Sequence, residues 1–185
     1  MKNLDKVRES IIEAAEKYFS VLGFEKTTLD NITSDNGRTK TSVYYHFRNK
    51  HEIFKSVIEK EFATVRAGLE PLTDLRAYLR VRLEAIQRQG AYRRYATSRF
   101  YYGDNPVSRA VKEARSSFDE WEENHILAYV VQGIKDGAVS DKVSPKLFAS
   151  TMVSILKAME AEFFNSEDKD SVLRTYEGIS ELMIR

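Results

Sequence analysis

The chain has 185 residues, enough for one large or two small domains with a substantial core. With 42% hydrophobic residues, 31% charged residues and a net charge of +1, its composition is that of an ordinary soluble globular protein, and its overall charge does not point to nucleic acid. The lack of cysteine excludes disulfides, thiolate metal sites and thiol catalysis, and it agrees with a reducing, cytoplasmic setting.

Only 3 prolines and 8 glycines interrupt the chain, and apolar residues recur at helical spacing almost throughout, so the expected fold class is all-α with about nine helices. Met1 leads into Lys2-Asn3-Leu4-Asp5-Lys6, which does not read as a signal peptide, and no apolar run approaches the roughly 18 residues of a membrane span. Val7, Ile11, Ala14, Ala15, Tyr18, Phe19 and Leu22 form one stripe and predict a first helix from about Leu4 to Leu22, stopped by Gly23. Thr27 or Thr28 caps a short second helix bearing Leu29 and Ile32, and Asn36-Gly37 forms a turn. Thr39 caps a two-turn third helix from Lys40 to Phe47. Asn49 with Glu52 reads as a capping box for a fourth helix carrying Ile53, Phe54, Val57, Ile58, Phe62 and Val65.

Gly68 and Pro71 end that helix. They place a domain boundary there, with residues 1–50 before it, a connecting helix over about 50–67, and residues 68–185 beyond. Leu72 to Ile86 predicts a helix with Leu75, Leu79, Leu83 and Ile86 inward, and Gly90 separates it from an aromatic segment ending at Gly103. Asn105-Pro106 starts a long helix reaching about Asp136, and Ser144-Pro145 starts another reaching about Asn165. A last helix runs from about Asp168 to Met183.

The chemistry concentrates between Lys26 and Lys50, where five cations face two acids. The second helix, the turn and the third helix together read as a helix-turn-helix, whose second helix enters the major groove with its N-terminal residues at the base edges. Thr39, Lys40, Thr41 and Ser42 occupy that end, with hydroxyls and a cation able to bond phosphates or bases. Val43 and Phe47 form the inward pair. Tyr44, Tyr45 and His46 offer flat rings with polar tips, suited to sugar and phosphate. Thr28 and Lys50 stand at helix N-termini, where free amides help hold phosphate. The competing reading is a small helical subdomain with a merely solvated polar helix.

From Ile11 to Val57 the sequence closely resembles the N-terminal domain of the TetR repressors. The resemblance rests on Ala14-Ala15, Phe19, Gly23-Phe24, Thr27-Thr28, Ile32, Gly37, Thr39-Lys40, Tyr44-Tyr45-His46-Phe47 and Lys50. It implies recognition-helix contacts from Thr39 to Ser42 and from Tyr44, Tyr45 and His46, with Thr28 and Lys50 as backbone anchors. The segment departs from the family pattern at Arg38, in the polar turn Ser34-Asp35-Asn36, and at Thr41. Arg38 is either a further phosphate contact or a solvated side chain.

The resemblance also implies a C-terminal regulatory and dimerisation domain, with a ligand pocket and an interface on the last two helices. Met152, Ile155, Leu156, Met159, Phe163, Tyr176, Ile179, Leu182 and Met183 form wide apolar stripes suited to a four-helix bundle across a two-fold axis, or to packing within one chain. Phe100, Tyr101, Trp121 and Tyr129 are candidate pocket residues, because small-molecule sites are mostly apolar and aromatic with a few polar tips. Arg76, Arg80, Arg82, Arg88, Arg93, Arg94 and Arg99 face one acid, Glu84; they read as a solvated face, or one or two of them hold an anionic effector such as an acyl-coenzyme A or a carboxylate.

An enzyme is not expected. There is no phosphate loop or nucleophile motif, His46 and His51 belong to the DNA face, and Glu122 with His125 reads as a surface pair without a third metal ligand. No cofactor is expected. The sequence reading is therefore a cytoplasmic, homodimeric, ligand-responsive repressor that binds a palindromic double-stranded DNA operator and is released by a small, anionic or apolar effector. A DNA-binding regulator controlled by a protein partner is the alternative.

Overall fold

The computed structural model describes residues 2–142 and 144–183, with the side chains of all of these except residues 2, 3, 36, 180, 182 and 183. Among the described residues there are nine helices: α1 (Lys2–Lys26), α2 (Leu29–Asn36), α3 (Lys40–His46), α4 (Lys50–Leu69), α5 (Leu75–Gln87), α6 (Gly90–Ala96), α7 (Pro106–Lys135), α8 (Pro145–Asn165) and α9 (Lys169–Met183). None is long and apolar enough to cross a membrane.

Local chemistry accounts for most of the boundaries. Gly23 breaks the helical geometry of α1 at φ 77°, a backbone region that costs other residues a steric clash, so the sequence stop lies where expected and one short turn continues beyond it to Lys26. Gly37 closes α2 in the left-handed conformation at φ 64°, its N–H donating to the Thr33 carbonyl. Asn49 accepts from the Glu52 backbone N–H at 2.9 Å, as the capping box requires, but the Glu52 carboxylate reaches back to the Arg48 N–H at 2.7 Å rather than to that of Asn49. The helix α6 lies in the aromatic stretch that the sequence left unassigned. Its two arginines and two tyrosines gave no clear stripe, and tertiary packing against α1 sets it.

The chain forms two compact units, each made of two segments. Unit 1 comprises Met1–Thr64 and Gln87–Arg115; unit 2 comprises Val65–Ile86 and Ser116–Arg185. The reason is α6, which packs on α1 and draws residues 87–115 into unit 1. The carboxylate of Glu61 on α4 holds α6 there. It accepts the N–H groups of Ala91 and Tyr92, each at 2.8 Å, and so satisfies two donors that every helix start leaves open. Burial pushes the Glu61 carboxyl up to about 7, while the two backbone N–H groups pull the other way.

Unit 1 buries Ile11, Ala15 and Phe19 of α1 with Ile32, Val43, Phe47, Phe54, Val57 and Ile58. Phe19 and Phe54 meet edge to face at 4.9 Å, and Phe24 approaches Phe54 at 5.3 Å. In unit 2, α5 buries Leu75, Tyr78, Leu79, Arg82, Leu83 and Ile86, a complete helical stripe that includes an arginine. Phe118, Ile126 and Val130 of α7, Phe148, Met152, Leu156 and Phe163 of α8, and Val172 and Tyr176 of α9 are buried there as well.

Arg82 corrects the reading of the arginine run as a uniformly solvated face. It is fully buried, bonding both oxygens of Glu122 and lying 2.6 Å from Glu160. The Tyr78 hydroxyl donates to the same Glu122 at 2.6 Å. Burial alone would lower the arginine pKa, but the charges of Glu122 and Glu160 more than reverse this and hold it protonated. Glu122 is thus not half of a surface pair with His125, because it points into the core with no exposed surface. His125 instead stacks on Trp121 at 4.8 Å, and its Nε2 lies 2.9 Å from the Tyr129 hydroxyl.

Candidate nucleic-acid interface

The site is built by two short helices and their caps. Thr28 caps α2 reciprocally: its side chain accepts from the Asn31 N–H at 3.2 Å, and the Asn31 side chain accepts from the Thr28 N–H at 2.8 Å. Thr39 caps α3, accepting the Ser42 N–H at 3.2 Å. These bonds fix where α3 begins, and therefore which side chains stand at its N-terminal end.

A helix of seven residues is too short to hold itself in water and must be seated by its apolar side. Val43 and Phe47 do this; both are buried, and the Arg8 guanidinium covers the Phe47 ring at 4.7 Å from its centre. The opposite side is left to solvent. Thr39, Lys40 and Thr41 are exposed, Ser42 and His46 are half-buried, and Tyr44 and Tyr45 are 56% and 74% exposed. Two tyrosines exposed to that degree on one short helix have no core function.

The candidate contacts differ in how committed they are to the fold. The Lys40 ammonium lies 2.8 Å from Asp30, both side chains more than half exposed, so the pair is weak and Lys40 can exchange that partner for a phosphate. Lys50 is otherwise engaged. Its ammonium donates to the Phe24 carbonyl at 2.8 Å and the Thr27 carbonyl at 3.0 Å, and it sits 4.3 Å from the centre of the Phe24 ring. Burial lowers its pKa, with Glu25 acting against this. Lys50 therefore closes the carbonyl end of α1 and fixes that helix to α4. The polar turn has a comparable role, since Lys17 bonds both oxygens of Asp35 at 2.9 Å. Arg38 is half-buried rather than fully solvated.

The four aromatic pocket candidates fall in different units. Phe100 and Tyr101 belong to unit 1, where Phe100 lies 6.1 Å from Phe24 and Tyr101 lies 5.8 Å from Tyr95. Trp121 and Tyr129 belong to unit 2, where they flank His125 in a row at four-residue spacing. The Tyr129 hydroxyl donates to the Leu72 carbonyl, and Arg66 covers Trp121 at 5.4 Å. Burial lowers the His125 pKa, with Glu70 and Glu122 opposing it. Of the interface candidates, Met152, Leu156, Phe163 and Tyr176 are buried within the single chain, whereas Ile155, Met159 and Ile179 keep partial exposure. The side chains of Leu182 and Met183 lie outside the described residues.

Sequence reasoning missed Glu61, whose isolated position on α4 carries no motif, and it placed Arg82 on the wrong side of its helix. The second error was legible: residues 75, 79, 82, 83 and 86 share one helical stripe.

Comparison with known proteins agrees with the geometry of α2 and α3. Residues 11–57 match the family model for bacterial regulatory proteins of the tetR family. The chain is 29% identical over 172 residues to the HTH-type transcriptional repressor BepR of Brucella suis biovar 1, an alignment covering 85% of this chain and 78% of that protein. It is 39% identical over 56 residues to IcaR, a negative transcriptional regulator of the biofilm operon icaADBC in Staphylococcus epidermidis, and that match spans 30% of each protein. A TetR-family transcriptional regulator from Pectobacterium atrosepticum shares the fold with a TM-score of 0.74 at 19% identity, covering 98% of this chain and 94% of that one. Residues 11–57, with α3 seated by Val43 and Phe47, carry the helix-turn-helix of the tetR family of bacterial regulatory proteins, and over most of its length the chain is similar to transcriptional regulators of that family.

Proposed function

We propose that this regulator represses transcription by binding a palindromic operator as a homodimer, and that a small-molecule effector releases it. The observation that carries the DNA contact is the outward face of α3, where Lys40, Tyr44 and Tyr45 are exposed on a helix whose other side is anchored. In this reading residues 1–50 serve as the reading head, with Thr39 to Ser42 at the base edges, Tyr44, Tyr45 and His46 on sugar and phosphate, and the Thr28 end of α2 on backbone phosphate. Lys50 acts through the position of α1 as well as through its charge, because its ammonium already serves three carbonyls.

Residues 68–185 serve for effector binding and dimerisation. The partial exposure of Ile155, Met159 and Ile179 on α8 and α9, beside exposed Leu173, supports a two-fold interface on those helices. Two heads held in this way read successive major grooves one DNA turn apart or somewhat further. An effector that prefers the other head spacing lowers operator affinity by its differential affinity for the two states. The row of Trp121, His125 and Tyr129 is the best aromatic candidate for contact with such a ligand. The protein acts in the cytoplasm, where its operator lies.

The test is binding of the purified protein to the DNA upstream of its own gene against a random duplex, at two salt concentrations. A preference that survives the higher salt supports a specific regulator. Equal and salt-sensitive binding to both duplexes removes that DNA as the operator, and no binding to either at low salt overturns the reading.

A further inference from the structure

Within unit 1, the end of α1, the end of α6 and the segment after α6 line a half-open cavity of about 390 Å3. That is within the size range of small-molecule sites, roughly 300–1,000 Å3. It contains none of the Trp121 row, and of the four aromatic pocket candidates only Phe100 lines it.

Its walls have two characters. Leu22, Phe24, Tyr95 and Phe100 supply apolar and aromatic surface, and Phe24 and Phe100 meet edge to face, with Lys50 on the Phe24 ring and Arg99 on that of Phe100. Lys26, Arg94 and Arg99 supply cations against a single acid, Glu25, which is already paired with Arg99. The Arg94 guanidinium and the Lys26 ammonium make no hydrogen bond or ion pair with any described residue. The carbonyl end of α1, which would otherwise repel an anion, is closed by the Lys50 ammonium on Phe24, Glu25 and Thr27. Arg94 lies against the end of α1: a Cβ at Gly23 would touch the arginine Cγ at 3.4 Å.

We propose that this cavity binds a small aromatic carboxylate, its ring against Phe24 and Phe100 and its carboxylate on the planar fork of Arg94. The fork offers two parallel N–H donors to the two carboxylate oxygens, a match a neutral amide lacks. With Glu25 neutralising Arg99, Lys26 and Arg94 leave the wall two positive charges, and the carboxylate on Arg94 offsets one of them. The occupant touches the backbone from Leu22 to Lys26, which leads directly into the cap of α2. The Thr27 hydroxyl donates to the Gly23 carbonyl at 2.8 Å and so fixes the turn that runs into that cap. Occupancy therefore biases the position of the reading helices from inside unit 1, a regulatory consequence that rests on the repressor reading above.

Phenylacetate and phenylacetamide are the probes, titrated calorimetrically into the full-length protein, with Arg94→Gln and Trp121→Leu as variants. Arg94 is exposed, so its substitution spares the core. The expected result is saturable phenylacetate binding that weakens roughly tenfold in Arg94→Gln, weakens similarly for the amide, and is unchanged in Trp121→Leu. Absence of saturation up to on the order of 10 mM, or binding that survives Arg94→Gln and falls with Trp121→Leu, overturns the site. DNA binding is measured separately: a protein that binds phenylacetate through Arg94 but binds no DNA keeps the site and loses the repressor reading.

Discussion

Lys40 and Arg82 are both cations on short helices, and the protein treats them in opposite ways. Lys40 stands on α3 with more than half its side chain in water, beside a single exposed acid. Arg82 stands on α5 with no exposed surface, between Glu122 and Glu160 and beside Tyr78. In water the ion pair is worth little and the side chain remains available to another anion. In the interior the same charge cannot lose its partners without leaving an uncompensated ion, so it is committed to one geometry. A cation on a helix is therefore a binding group or a structural one according to what surrounds it, and the residue type alone does not decide.

The sharpest way to break this contrast is Arg82→Met. With Glu122 and Glu160 left buried and unpaired, we expect a loss of about 3–5 kcal/mol in urea unfolding. A change below about 1 kcal/mol would show that the cluster does not behave as a buried ion network.

Glu61 comes next, as a buried charge satisfied by backbone instead of by a cation. Glu61→Ala leaves the Ala91 and Tyr92 N–H groups without their acceptor and should cost about 2–3 kcal/mol. Its carboxyl is also raised to about 7, so the folded protein holds the proton more tightly than the unfolded chain does. The stability linked to Glu61 is then complete below its ordinary value of 4.5 and is lost as pH rises through about 7. Wild type should gain stability relative to Glu61→Gln on acidification from about pH 7.5 toward about pH 5, read from thermal midpoints. Parallel midpoints across that range would count against the assignment.

On the exposed side of the comparison, Lys40→Ala should weaken operator binding roughly tenfold and reduce the salt slope by about one, while leaving the unfolding midpoint where it was. Loss of folding in this variant would move Lys40 to the structural class. The smallest effect is expected at the cap of α2: Thr28→Ala should cost about 1 kcal/mol by removing half of the reciprocal bond with Asn31, measured by chemical unfolding.

The helix-turn-helix was legible because its signals are local. A cap at Thr39, a left-handed glycine at Gly37 and an inward pair four residues apart at Val43 and Phe47 are all read within a dozen positions. The short α6 was not legible, because α1 and the Glu61 carboxylate stabilise it from distant parts of the chain. The surface pairing expected for Glu122 and His125 failed for the same reason: the spacing of three was right, but the partner of Glu122 lies 40 residues away.

By itself, the sequence determined the helical class, the caps, the turn glycine and the polar face of α3, since each depends on residues a few positions apart in the chain. The tertiary structure decided which cations are bonded inside, that residues 87–115 join the first unit, and that Lys26 and Arg94 line a common cavity. Those outcomes depend on desolvation and on contacts between residues far apart in sequence, and neither leaves a local pattern to be read.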